Sequence, residues 1–80
     1  MDLRSAIKER ILELCTERNI TINKLCIISG ITQSTVNNII NSGSNNPTVS
    51  TVKKLCDGMD ITLAEFFDSP IFNELDQEIH

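Results

Sequence analysis

The side chains with the clearest chemical potential lie in one short run: Gln33, Ser34, Thr35, Asn37 and Asn38. Their amides and hydroxyls form hydrogen bonds in the patterns that base edges present. Nothing comparable exists for catalysis. The only histidine is the terminal His80, no nucleophile is paired with a base, and no glycine-rich phosphate loop appears, so an enzyme is the least expected reading. Cys15, Cys26 and Cys56 are odd in number and lack C-x-x-C spacing, which leaves no metal-ligand set. They read as small buried hydrophobes in a reducing compartment. No cofactor and no small-molecule substrate is implied.

Charge along the chain sharpens this reading. The net charge of −4 looks unfavourable for an anionic partner until it is mapped. Residues 1–20 are balanced, with Arg4, Lys8, Arg10 and Arg18 against Asp2, Glu9, Glu13 and Glu17. From Thr21 to Cys56 the only charges are Lys24, Lys53 and Lys54. From Asp57 onward there are acids and no Lys or Arg. An acid-free middle followed by an acidic tail points to one surface kept clear for an anion.

The elements that must position these groups follow from periodicity. At 80 residues the chain has room for one compact domain and excludes barrels and doubly wound sheets. Leu3, Ile7, Ile11, Leu14 and Cys15 recur at helical spacing behind Asp2, a candidate cap. Thr21 can cap a second helix through Ile28, with Leu25, Cys26 and Ile28 on its apolar side and Ile22 and Ile27 left without a core role. Gly30 interrupts it, and Thr32 can cap a third helix carrying Val36, Ile39 and Ile40. Residues 41–47 are a loop by composition. A fourth helix is expected from about Thr48 to Gly58, with Val49, Val52, Leu55 and Cys56 inward. Thr62-Leu63-Ala64-Glu65 fits a capping box for a fifth helix bearing Phe66 and Phe67. Ser69-Pro70 can open a short terminal helix striped by Ile71, Phe72, Leu75 and Ile79. No segment alternates with period two and no internal repeat is evident, so the class is all-α. The expected domain covers residues 1–68, with an acidic amphipathic tail over 69–80 as a dimer or partner contact. No membrane span or secretion signal is visible, and the expected location is the cytoplasm.

Leu25 and Cys26 precede Gly30 by four to five residues, Ile31 follows it, and Val36 and Ile39 lie six and nine beyond. A helix-turn-helix needs a small residue where its helices touch, here Cys26, and a glycine where the backbone turns, here Gly30. Leu25, Ile31, Val36 and Ile39 would anchor the pair, leaving Gln33, Ser34, Thr35, Asn37 and Asn38 outward. The helix starts near Thr21 and Thr32 offer backbone amides to phosphate.

This ordered set resembles the Cro and phage-repressor, or XRE-like, helix-turn-helix family. The resemblance is carried by Ile7-Lys8-Glu9-Arg10-Ile11, Gly30-Ile31-Thr32-Gln33-Ser34-Thr35-Val36, Asn46-Pro47-Thr48 and Leu63-Ala64-Glu65-Phe66-Phe67, from about Ile7 to Phe67. It implies a compact five-helix bundle, with a sixth helix possible in the tail, that binds operator DNA as a homodimer through a recognition helix spanning Thr32 to Asn41. The expected base-reading residues are Gln33, Ser34, Thr35, Asn37 and Asn38. The expected phosphate contacts are Thr21, Asn23, Lys24, Thr32, Ser44 and Asn45. The chain departs from the family at Ile22, where many members carry Gln or Arg, and at Ser42, Gly43 and Asn45, where a basic loop is common. Cations for phosphate are therefore scarce. The leading expectation is a sequence-specific DNA-binding transcriptional regulator, with repression as its expected mode. The alternative is an antitoxin-like or adaptor module that keeps the fold for protein contacts.

Overall fold

A computed structural model describes residues 1–42 and 46–79. Five α-helices follow one another: α1 (Leu3–Arg18), α2 (Ile22–Ser29), α3 (Gln33–Asn37), α4 (Val49–Met59) and α5 (Leu63–Phe67). A π-helical turn, Asn38–Ser42, prolongs α3, and a 3-10 turn, Pro70–Glu74, follows α5. The described residues contain no strand. The fold is the all-α bundle expected, and the candidate surface is built from α2 and α3.

Each α-helix starts on a side-chain cap. Asp2, Thr21, Thr32, Thr48 and Thr62 accept from the backbone N–H groups of Ser5, Lys24, Thr35, Thr51 and Glu65. These bonds satisfy N–H groups that a helix start leaves orphaned. At Thr62 the box is complete, since Glu65 Oε1 accepts from the Thr62 N–H at 2.9 Å.

The helix ends obey a second rule, and here a short repeat emerges that contradicts the expectation of none. Cys15, Cys26 and Cys56 each precede by four a residue in the left-handed region: Asn19 (φ 53°), Gly30 (φ 67°) and Asp60 (φ 57°). Ile20, Ile31 and Ile61 come next and donate their N–H to the cysteine carbonyls at 3.0, 3.1 and 3.0 Å. Thr21, Thr32 and Thr62 then cap the following helix. This is the Schellman arrangement, in which the isoleucine packs back onto the end of its helix. The chain uses Cys-x-x-x-(Asn/Gly/Asp)-Ile-Thr three times to turn from one helix into the next.

The core gathers Ile7, Ile11, Leu14, Leu25, Val36, Ile39, Val52, Leu55, Met59 and Phe66 with the three cysteines. All three thiols are free and buried, and burial pushes their pKa values up, so little reactive thiolate is present at neutral pH. Ile31 is half-buried at the edge of the core.

Four expectations about burial need correction. Val49 is 70% exposed, because it occupies the first position of α4, a turn short of Val52 where the core begins. Ile22 packs against the core instead of lying idle, while Ile28, expected inward, is exposed beside Ile27. An eight-residue helix is short enough for its apolar stripe to be read in either phase. The tail is not a striped helix. Only the 3-10 turn forms, Leu75 is extended, and Ile79 is exposed. Ser69 makes no side-chain cap bond, and Glu74, Asp76 and Glu78 would oppose the negative end of a helix dipole. Phe72 instead packs on Phe66 and Phe67, with ring centroids at 6.2 and 5.0 Å. The segment beyond is fastened to the start of the chain: the Met1 amino group meets Asp76 Oδ2 at 3.1 Å, and the Asp76 N–H donates to the Met1 carbonyl at 2.8 Å.

Helices α2 and α4 approach closely at Gly58. A Cβ there would stand 2.2 Å from Ser29 Oγ and 3.1 Å from Ser29 Cα, so only glycine fits without displacement. Gly58→Ala is expected to cost about 1–3 kcal/mol by forcing the helices apart. The Ser29 hydroxyl is buried and has no hydrogen-bond partner among the described residues, so Ser29→Ala should be neutral or stabilising. In the double variant the Gly58→Ala penalty should shrink, since the nearest clash is gone. Urea unfolding of the three variants checks this; a Gly58→Ala protein as stable as the parent contradicts the close approach.

Candidate nucleic-acid interface

The third helix is anchored from one side only. Val36 is fully buried and Ile39 is 3% exposed, which fixes the rotation of α3 about its axis. Gln33, Ser34, Asn37 and Asn38 are all exposed. Gln33 and Asn37 are four apart, as are Ser34 and Asn38, so the four form one polar face opposite the core. Asn41 is also exposed, in the π turn that follows, and was not among the expected readers. Its signal was its place within the expected recognition helix.

Thr35 differs from its neighbours. It is half-buried, and its hydroxyl lies 2.8 Å from Thr32 Oγ1, which also accepts the Thr35 N–H at 3.3 Å. The expectation that Thr35 faces outward with the other four is corrected accordingly: its hydroxyl is committed to the cap that starts α3.

Before α3, Gly30 ends α2 in the left-handed conformation. Thr21, Asn23 and Lys24 stand exposed at the start of α2, and Thr32 stands exposed at the start of α3. The Thr21 hydroxyl accepts from the Lys24 N–H at 3.0 Å. Ser44 and Asn45, the loop members of the expected phosphate set, lie outside the described residues. Ile22 sits partly buried against the core, in keeping with a side chain that offers nothing to phosphate.

The acid-free middle supplies fewer unengaged cations than its three lysines suggest. Lys53 pairs with Asp57 one turn later, and that hydrogen bond holds its ammonium above the usual lysine range. Lys24 and Lys54 are exposed and make no ion pair among the described residues.

Two arginines of α1 had no assigned role and acquire one here. Arg4 Nη1 donates to the Ile39 carbonyl at 3.2 Å, in the π turn that prolongs α3. Arg10 donates through Nε to the Phe66 carbonyl at 2.7 Å and through Nη2 to the Glu65 carbonyl at 2.8 Å, and it also pairs with Glu13. These contacts span 35 to 56 residues, which no local pattern announces.

Among the described residues no group of His, Cys, Asp and Glu is arranged to hold a metal ion, and no helix is long and apolar enough to cross a membrane. A family model for the Cro/C1-type helix-turn-helix DNA-binding domain matches residues 10–70. No curated protein matches the chain. The crystal structure of the prophage Lp1 protein 11 is similar at 37% identity and a TM-score of 0.82, covering 94% of this chain and all of that one.

Proposed function

Because the chain belongs to the Cro/C1-type helix-turn-helix DNA-binding family, we propose that it is a sequence-specific transcriptional repressor that lays α3 in the major groove of operator DNA. One observation carries this reading: the unbroken exposed face of Gln33, Ser34, Asn37 and Asn38 on a helix held from behind by Val36 and Ile39. Gln33 and Asn38 pair bidentately with adenine N6 and N7, and Ser34 and Asn37 bond to neighbouring base edges. The contacted positions therefore lean towards A·T. The likeness to a prophage protein supports a phage or mobile-element origin for such a regulator, which would act in the cytoplasm.

Thr21, Asn23, Lys24 and Thr32, with Ser44 and Asn45 of the loop, hold phosphates. So few cations make one subunit a weak binder, and a two-fold homodimer supplies the second half-site about 34–36 Å away. The dimer contact draws on α5 and the tail over residues 69–80, where Phe67 and Ile79 remain exposed.

Lys24 separates backbone contact from base reading. Lys24→Ala should weaken binding to all duplexes alike and lower the salt slope by about one. Titration of parent and variant at several salt concentrations checks this. A variant that loses affinity only for the preferred sequence would contradict the phosphate role. The exposed Ile27 and Ile28 favour a second reading, an adaptor or antitoxin-like module that uses α2 for a protein partner. A parent protein that binds no duplex at low salt selects it.

A further inference from the structure

The first helix reaches across the bundle with two arginines, and each ends on the carbonyls that close another helix. Arg10 serves α5 through Phe66 and Glu65. Arg4 serves the π turn that prolongs α3, through Ile39 at 3.2 Å. Carbonyls at a helix end carry partial negative charge, and a guanidinium there is favourable both as a donor and as a charge. The helical hydrogen-bonding pattern changes at Asn38, and the wider π turn redirects the residues after it, so Asn41 takes a direction that a continuous α-helix would not give it. Arg4 makes no ion pair among the described residues, which leaves this carbonyl as the hydrogen-bond partner that the structure gives it.

We infer that Arg4 is a positioning residue for DNA reading: it caps the recognition segment from α1 and fixes the direction in which Asn38 and Asn41 present their amides. The inference rests on the DNA-binding function proposed above. Val36 and Ile39 set the rotation of the segment through apolar contact, and Arg4 sets its far end through a directed bond. Without the guanidinium the Asn38–Ser42 turn loses its tie to α1, and the far end of the recognition segment becomes free to shift between α and π forms. Bases read at that end then lose discrimination, whereas phosphate contacts at the start of α2 do not change.

Three variants of the full chain test this: Arg4→Met, which keeps the apolar stem, Arg4→Lys, which keeps the charge, and Arg10→Met, which uncaps α5 instead. Amide hydrogen exchange is measured alongside titration of a selected and a scrambled duplex. Arg4→Met should speed exchange across Asn38 to Ser42 and weaken the selected duplex about tenfold, the loss expected for one charge-assisted hydrogen bond. The scrambled duplex and the salt slope should not change. Arg4→Lys should recover part of the loss, and Arg10→Met should lower the melting temperature while keeping the ratio of selected to scrambled binding. Unchanged exchange or an unchanged ratio in Arg4→Met overturns the inference. So does an equal loss on both duplexes with a salt slope lower by about one, which would make Arg4 a direct phosphate contact. If the parent binds no duplex, the proposed function itself falls, whatever the exchange shows; if the parent binds and Arg4→Met binds identically, only the inference falls.

Discussion

Leu55→Ala is expected to remove about 2–5 kcal/mol of folding stability, a larger loss than any other substitution considered for this chain. Leu55 is fully buried, on the inner face of α4 between Val52 and Met59. Truncation there forfeits the transfer free energy of the deleted carbons and leaves a cavity that a close-packed interior only partly refills. Size makes the consequence severe. At roughly 0.05–0.15 kcal/mol per residue, a chain of 80 residues has about 4–12 kcal/mol in total, so this one change removes a large share of it. Helix α4 packs on both α2 and α5, so the damage reaches the support of α3 through α2 as well as the far end of the bundle. Urea unfolding followed by circular dichroism should show a lower midpoint with the same slope. A loss below about 1 kcal/mol would mean that α4 is not the packed centre of the bundle.

Gln33→Ala should cost about 1–3 kcal/mol on the preferred DNA site and relax the preference at one base position, with scrambled DNA unaffected. The side chain is exposed at the first position of α3, directly after the Thr32 cap, and makes no hydrogen bond within the described residues. Alanine is the better helix former, so folding should be unchanged or slightly improved. That separation gives the prediction its force: affinity falls while stability does not. Parallel titrations against preferred and scrambled duplexes, with a thermal melt of each protein, check it. An equal loss on both duplexes would remove Gln33 from the base-reading set.

Much of this arrangement was legible in the residues themselves. Helix starts are written locally, and Asp2, Thr21, Thr32 and Thr62 announced themselves as caps. The buried face of α3 came from Val36 and Ile39, and with it the outward face of Gln33, Ser34, Asn37 and Asn38. The features that escaped have physical causes. The threefold Cys-x-x-x-(Asn/Gly/Asp)-Ile-Thr connector was visible as letters, but its meaning depends on Asn19 and Asp60 taking the left-handed conformation that Gly30 takes without cost. The stripe of Ile71, Phe72, Leu75 and Ile79 had helical spacing but neither a working cap nor favourable charge at its end, and the contact between Met1 and Asp76 competes for the same segment. Lys53 and Asp57 stand four apart on one expected helix, so their pairing was within reach of the sequence and was passed over because the charges were divided at Asp57. Arg4 and Arg10 act across 35 to 56 residues, beyond the reach of any periodicity.

The central claim is that this chain reads DNA sequence through α3, and selection from a random double-stranded pool tests it most directly. Full-length protein is incubated with the pool at low salt, and bound duplexes are recovered and sequenced over successive rounds. The expected result is enrichment of two related half-sites with two-fold symmetry, centred about 34–36 Å apart and leaning towards A·T at the contacted positions. A pool that shows no enriched sequence after repeated rounds, with parent protein that is folded by circular dichroism, would contradict it.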